Sequence, residues 1–429
     1  MEDLVTKAII CGVIEKNQNS ELFNYSFIEL EALAEACNIK VVGKLTQNLI
    51  HIDNSTYIGS GKVGELKDIV ELKDANLVIF NDELSPSNLS TLADLLEVEV
   101  IDRTMLILRI FNERAKTKEA KLQVDIATLK YMMPRLIGYH KNLSRTGGGG
   151  GGGGGARRGS GETALEMDRR YIENRIYKLE EELTNLTKSR YISRKARSKN
   201  EVKSVAVVGY TNSGKSTTIN NLLAYTNNDT EEKKVFVKDM LFATLETQTR
   251  RIKLANNHEF LITDTVGFVS NLPHHLIEAF KSTLEEIREA SLIIHVIDSS
   301  SPYQDLHIKT TNDVLNQLGC KDIKMLYVYN KTDLIKNKNL FNMDVTPSIM
   351  LDNTNLLGFD ELLKTIEEML FDDYNISLLI PYSEGQIYNQ LKEKANIINT
   401  EYLNEGIKVN VILSKHLKEL YKQYQIEKE

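Results

Sequence analysis

Short apolar runs separated by longer amphipathic stretches organise the first quarter of the chain. AIICGVI (8–14), VVG (41–43), LVIF (77–80) and VEVI (98–101) alternate with helical stretches such as 27–37 and 87–96. That order predicts βαβα units on a mostly parallel sheet over residues 1–115. The period then changes. Leu122, Ile126, Leu129, Met133 and Leu136 step by 4, 3, 4, 3, and Ile172, Ile176, Leu179, Leu183 and Leu186 repeat the same steps. Each set puts one apolar seam on a helix, so residues 116–200 read as an antiparallel helical hairpin with a Gly-rich tip at 146–161. Arms of roughly 20 to 25 residues would be about 30 to 40 Å long. Pro134 lies inside the first seam and is expected to kink or end that helix near Met133.

From 201 the pattern changes again. KSVAVVG, EFLITDT, LIIHVID and MLYVYN are short apolar strands separated by helical stretches, the order of a doubly wound α/β domain over 201–372. Residues 373–429 offer a strand in ISLLIP, a helix from about 383 and a strand in IKVNVIL, a small α+β domain. The expected fold class is therefore α/β: an N-terminal α/β domain, the hairpin, a doubly wound domain carrying a phosphate loop, and the small C-terminal part.

Length and charge refine this picture. A chain of 429 residues is too long for one ordinary core. Cys11, Cys37 and Cys320 lack zinc or disulfide spacing, and no apolar run approaches a membrane span, so a reducing, cytoplasmic setting is expected. The net charge of −7 hides an asymmetry: residues 101–200 hold 22 Lys/Arg against 11 Asp/Glu, a local +11, which leaves −18 on the rest. Such a surplus is either a solvated helical face or an electrostatic footprint for phosphate. Its position matters, because it brackets nine consecutive glycines, Gly147–Gly155. Alone, that run reads as a flexible tether. At a hairpin tip between Arg145 and Arg157-Arg158 it becomes a narrow probe, able to enter an RNA site too crowded for side chains.

The most specific signal is GYTNSGKST at 209–217, which matches G-x-x-x-x-G-K-[ST] after a strand and before a helix. Gly209, Tyr210, Thr211, Asn212, Ser213 and Gly214 would curl backbone N–H groups around phosphate oxygens. Lys215 would reach the β- and γ-phosphates and Ser216 would offer its hydroxyl to Mg²⁺, with Thr217 next in the chain. YIGSGKVGE at 57–65 fails the same test, since Tyr57 and Val63 stand where Gly and Ser or Thr are required; an ordinary Gly-rich turn is expected there.

Two further stretches sharpen phosphate to GTP. DTVG (Asp264, Thr265, Val266, Gly267) places a carboxylate near the magnesium and a backbone N–H near the γ-phosphate. NKTD (Asn330, Lys331, Thr332, Asp333) ends on a carboxylate that can accept two hydrogen bonds from guanine, a donor pair that adenine lacks. Between them DMLFATLETQTRR (239–251) reads as the first switch, with Thr244 as magnesium partner and Thr247 or Thr249 as substitutes. Phe268 stands where many GTPases carry the glutamine that orients the attacking water, so intrinsic hydrolysis is expected to be slow. No catalytic residue is assigned beyond assistance from Lys215 and Thr244. Asn212 is a candidate K⁺ ligand.

Together with YIGSGKVGEL (57–66), NDELSPSNL (81–89), residues 100–136, RGSGETALEMDRR (158–170), LFATLE and DTVGFVSNLPHHLIEAFKSTLEE (264–286), these motifs resemble the HflX family of translation-associated GTPases. The resemblance spans nearly the whole chain. It implies GTP binding through Gly209–Ser216, Phe242, Ala243, Thr244, Leu245, Glu246, Asp264–Gly267 and Asn330–Asp333, with Ser216 and Thr244 as magnesium ligands. It also implies a hairpin that reaches into the large ribosomal subunit and its RNA, GTP-dependent splitting of stalled or idle ribosomes under stress, and action as a monomer. The chain departs from the family at LDNTNLLGFDEL (351–362), where a Ser-Ala-Lys-type loop usually contacts guanine, and its glycine run is plainer than the usual form. A binding role in antibiotic displacement or large-subunit assembly, without net splitting, remains the alternative. A small-molecule kinase on the same phosphate loop is disfavoured by NKTD.

Overall fold

The computed structural model describes residues 6–16, 19–146, 157–199, 202–226, 241–242, 247–254, 258–270, 272–273, 276, 281–335, 343 and 345–426; for 136–146, 157–165, 189–199, 281–283, 393–394 and 414–416 this is the backbone alone. The chain forms two compact units. One unites Met1–Lys195 with Lys238–Glu246 and Val266–Thr283; the other unites Ala196–Val237, Thr247–Thr265 and Leu284–Glu429.

The first unit opens with β1 (Lys7–Glu15), α1 (Ser20–Ala36), β2 (Lys40–Leu49), α2 (Ser60–Lys73), β3 (Leu77–Phe80), α3 (Pro86–Leu96) and β4 (Glu99–Asp102). The strands lie in the order β2-β1-β3-β4, all parallel, as the alternation of apolar runs predicts. Local chemistry sets the helix starts. Asn19 accepts from the Glu21 N–H at 2.8 Å, and Ser85 caps α3 with Pro86 in the first turn. The Gly-rich stretch at 57–65 opens α2 from Gly59, and Lys62 pairs there with Glu65 at 2.7 Å. Beneath the helices Ile9, Cys11, Val13, Leu66, Val78, Phe80 and Leu92 share one core.

A buried ion pair ties this sheet to the helix after β4. Asp102 caps α4 (Arg103–Arg114), and the next side chain, Arg103, pairs with Glu29 of α1; both are almost wholly buried. Arg103 donates also to Ser26 O (3.3 Å) and Asn81 Oδ1 (3.1 Å). Glu29 accepts in addition from the Ser270 hydroxyl, and the ring of Phe242 meets Phe111 of α4 edge-on at 4.8 Å and 81°. Those contacts make the two returning segments part of this unit.

The hairpin consists of α5 (Lys118–Thr146) and α6 (Arg157–Lys199). Leu122, Ile126, Ile176 and Leu179 form its core, flanked by Leu129, Met133, Ile172, Leu183 and Leu186, so nine of the ten seam positions pack together. Lys118–Glu182 (2.5 Å) and Lys130–Glu180 (2.7 Å) link the arms. Two expectations need correction. The arms are 29 and 43 residues, longer than the seams alone suggest. The first helix also does not end near Met133 but runs through Pro134 to Thr146. Arg135 clasps that turn, its guanidinium 3.3 Å above the Tyr131 ring and donating to Tyr131 O at 2.8 Å. Tyr131 in turn donates to buried Asp102. Burial pushes the Asp102 carboxyl above the usual range, with the Tyr131 hydrogen bond opposing it. Of the expected tip, residues 157–161 are the first turns of α6, while Gly147–Gly155 lie outside the described residues.

The second unit holds β5 (Lys203–Val208), α7 (Lys215–Tyr225), β6 (Gln248–Lys253), β7 (Glu259–Asp264), β8 (Leu292–Asp298), α9 (Gln304–Gln317), β9 (Lys324–Asn330), β10 (Ser348–Met350) and α10 (Phe359–Leu370); α8 (Lys281–Arg288) precedes β8. The sheet order is β10-β9-β8-β5-β7-β6, parallel except for β6. A third sheet is built from β11 (Asp373–Ile380), α11 (Gly385–Lys394), β12 (Asn396–Leu403), β13 (Gly406–Ser414), α12 (Lys415–Leu420) and β14 (Gln425–Ile426). It is antiparallel, in the order β12-β13-β11-β14. Strands β6 and β12 were not expected. Both lie at sheet edges, and their polar sequences QTRRIK and NIINTEYL lack an apolar run.

Among the described residues no helix is long and apolar enough to cross a membrane. The three cysteines are buried and free, and burial pushes the Cys11 and Cys37 thiols up to about 12.

Removing Arg103 would strand a buried carboxylate. Arg103→Met should lower stability by about 3–5 kcal/mol, and adding Glu29→Gln should recover most of it. Urea unfolding followed by circular dichroism checks this; an unchanged midpoint for the single variant refutes it.

Candidate nucleotide site

Strand β5 sits between β8 and β7, where the chain order reverses; in open α/β sheets the crevice beyond the carboxyl ends at such a point takes the ligand. Three predicted stretches converge there: Gly209–Gly214 after β5, Thr265 after β7 and Lys331–Asp333 after β9.

The loop after β5 is shaped by two glycines. Gly209 has φ +148°, and a Cβ there would lie 2.2 Å from Val296 O. Gly214 has φ +97°, and its Cβ would lie 2.1 Å from Asn330 Nδ2. A side chain at either place would force the loop open. Lys215 begins α7 and folds back, donating to Gly209 O (3.1 Å) and Tyr210 O (2.8 Å). Burial brings its ammonium down to about 8, against the pull of Asp264. The ring of Tyr210 stacks on His307 of α9 at 3.9 Å and 13°. Thr211 and Ser213 are buried, whereas Asn212 is exposed in the left-handed conformation at φ +59°. Thr217 comes after Ser216 in the first turn of α7.

Ser216 and Asp264 meet. The Ser216 hydroxyl donates to Asp264 Oδ2 at 2.5 Å, and Asp264 is fully buried at the end of β7. This all-oxygen pair suits a hard cation such as Mg²⁺. The neighbouring Thr265 hydroxyl donates to Val207 O at 2.7 Å, which pins the strand end. Val266, Gly267 and Phe268 continue the backbone and are buried; the Phe268 side chain is 2% exposed. The hydroxyl of Thr249, a candidate substitute for Thr244, pairs with that of Thr263 across the β6–β7 ladder at 3.0 Å. Thr244 itself, with Ala243, Leu245 and Glu246, lies outside the described residues. Phe242 commits its ring to Phe111.

At the far end of the crevice Asn330 is 1% exposed and donates to Ser213 O at 2.8 Å. Lys331, at φ +61°, pairs with Asp298 at 2.8 Å, and the Thr332 hydroxyl donates to Leu351 O at 3.1 Å. Asp333 accepts from the Thr354 hydroxyl at 3.2 Å. Asp352 and Asn353 align with the loop that departs from the expected pattern; sequence reasoning did not single out Thr354, and the partners of Asn353 and Thr354 come from distant segments.

Residues 24–112, 114–197 and 204–331 match, in turn, the families described as GTP-binding GTPase N-terminal, GTP-binding GTPase Middle Region and 50S ribosome-binding GTPase. GTPase HflX of Caldanaerobacter subterraneus subsp. tengcongensis is 43% identical over 433 residues, 99% of this chain and 95% of that protein. The chain belongs to the HflX family of GTPases. GTPase HflX of Lacrimispora saccharolytica is 39% identical over 91% of this chain and 90% of its own. A solved GTP-binding protein from Sulfolobus solfataricus, in complex with GDP, aligns with a TM-score of 0.42 at 23% identity, over 85% of this chain and 98% of that one.

In this HflX-family chain the strand beside β5 carries a buried imidazole. His295 of β8 is 1% exposed, and neither ring nitrogen has a protein hydrogen-bond partner among the described residues. Burial, aided by Lys215 and His307, pushes it down to about 3. An unfolded histidine takes its proton near 6.5, so the unfolded state binds more protons between about 6.5 and 3 and stability falls as pH falls through that window. His295→Gln should flatten the acid side of a stability-against-pH curve by about one proton; an unchanged slope refutes the assignment. Gly214→Ala should displace the Asn330 amide and weaken mant-GDP binding at least about tenfold with the fold retained, measured by fluorescence titration.

Proposed function

We propose that this HflX-family GTPase binds the large ribosomal subunit through the hairpin and uses GTP to time the splitting of stalled or idle ribosomes in the cytoplasm, as a monomer. One observation carries the nucleotide half: Lys215, the Ser216–Asp264 pair and Asn330 converge at the carboxyl ends of β5, β7 and β9. For the ribosomal half the support is a packed two-helix arm drawn from the one segment with a surplus of positive charge. The segment 101–200 that contains this arm carries net +11, which suits phosphate-rich RNA. In this reading residues 1–115, 116–200, 201–372 and 373–429 are four domains, and Gly147–Gly155 are the working tip.

The site's groups then take distinct parts. Backbone N–H groups of Gly209–Ser216 receive the phosphates, and Lys215 exchanges its loop carbonyls for phosphate oxygens. Ser216, Asp264 and Thr244 would hold Mg²⁺, which would supply positive charge to neutralise the phosphates. Phe242–Glu246 and Asp264–Gly267 answer the γ-phosphate, while Asn330–Asp333 read the base. Phe268, with its ring buried, offers no hydrogen bond to water, so hydrolysis depends on what the ribosome adds. Exposed Asn212 would help bind K⁺.

Isolated large subunits should raise the GTPase rate, and sucrose gradients of idle ribosomes should shift to free subunits with GTP and not with GDP. Stimulation without a shift would favour antibiotic displacement or subunit assembly. Equal rates in K⁺ and Na⁺ buffers would remove Asn212 from the mechanism. Stimulation that survives a shortened Gly147–Gly155 would remove the tip.

A further inference from the structure

The end of the β6–β7 hairpin that points away from the nucleotide crevice carries another group of metal-ligating side chains. Strand β7 runs from Glu259 to Asp264, so His258, just before its first residue, stands about 20 Å from Asp264. The Leu254 N–H donates to His258 O at 2.8 Å and closes the turn. The ring of His258 lies flat on Phe371, at 4.1 Å and 8°. With that face covered, the ring presents its nitrogens edge-on. Nδ1 is 2.8 Å from Glu367 Oε1, and Nε2 is 3.3 Å from Asp373 Oδ1. One ligand atom from each of the three residues lies within 4.8 Å of the other two. The side chains are between 18% and 26% exposed, so an ion can reach them from solvent.

Three parts of the fold meet in this cluster. His258 belongs to the hairpin at the edge of the six-stranded sheet, Glu367 to the last turn of α10, and Asp373 is the first residue of β11 in the third sheet. Charge there is one-sided. Residues 367–373 read EEMLFDD, no basic residue occupies the last turn of α10, and the carbonyl end of that helix adds partial negative charge. Lys324 reaches the same helix end but donates to Met369 O at 2.8 Å, and Lys364 pairs with Glu368 at 3.9 Å. Burial lifts the Asp373 carboxyl above the usual range; His258 opposes this, and Glu367 and Asp372 add to it. Carboxylates gathered this closely call for a cation among them.

We propose that His258, Glu367 and Asp373 form a Zn²⁺ site, completed by water, that fastens the β6–β7 hairpin to α10 and the third sheet. One imidazole and two carboxylates suit Zn²⁺, whereas Mg²⁺ and Ca²⁺ favour sets made of oxygen alone. Donors about 2.0–2.2 Å from a tetrahedral zinc lie about 3.5 Å from one another, so an inward rotation of one carboxylate by about an ångström gathers all three on one ion. The strand fastened in this way is the one that ends on Asp264.

The test uses the full chain with GDP and Mg²⁺ present, titrated with Zn²⁺ by calorimetry and with Co²⁺ by visible absorption. One ion per chain should bind, Co²⁺ should show the absorption of a tetrahedral site, and the melting temperature should rise with Zn²⁺ but not with equimolar Mg²⁺ or Ca²⁺. His258→Gln and Glu367→Gln should each weaken Zn²⁺ binding at least about tenfold, while His51→Gln, at an exposed histidine elsewhere, should leave it unchanged. The unsubstituted chain decides the matter even where a variant fails to fold, since no saturable Zn²⁺ binding overturns the proposal. Equal binding in the His258 and Glu367 variants overturns it too. A melting temperature that responds to pH and to His258→Gln but never to Zn²⁺ assigns the cluster to a proton, an imidazolium between two carboxylates, and refutes the metal site.

Discussion

The nucleotide site depends on a close approach of backbone to side chain that glycine alone allows. At Gly214 the absent Cβ leaves room for the Asn330 amide to lie against the loop and donate to Ser213 O. Because Asn330 ends β9 and Ser213 belongs to the loop after β5, this one hydrogen bond ties the two segments together. At Gly209 the same logic places the other end of the loop against Val296 O of β8. The order of parallel strands brings these segments to one rim; the glycines decide how closely they meet. Lys215, drawn back onto loop carbonyls, and the Ser216–Asp264 pair complete a cradle whose polar groups are oriented in advance.

Much of this was legible in the sequence because it is periodic or local. The parallel strands announce themselves as apolar runs. The seam residues of the hairpin keep 4, 3, 4, 3 steps, and nine of ten pack as that spacing requires. The phosphate loop is a contiguous motif whose physics needs no distant partner. Strands β6 and β12 were invisible for the opposite reason: edge strands expose much of their surface, so QTRRIK and NIINTEYL carry no apolar run. Pro134 removes one backbone donor, yet the helix continues to Thr146, with Arg135 laid over the Tyr131 ring in the same turn.

Long-range polar contacts were the least legible of all. Glu29 reads as an ordinary helical glutamate, yet it meets Arg103 and Ser270, respectively 74 and 241 residues away. Asn353 meets Asn221 across 132 residues and Thr218 across 135. Nothing in local composition distinguishes such residues from a solvated surface, and only the fold supplies their partners.

The junction at Asn353 also bears on kinetics. A nucleotide held at its base by one loop and at its phosphates by another can leave in stages when those loops move independently. Here one side-chain amide joins the 352–357 loop, the strand end and the helix that begins at Lys215. Loosening one contact would disturb hydrogen bonds at the others, which favours a joint opening over a staged one. If a nucleotide lies across these segments as proposed, its release would require all three to move together.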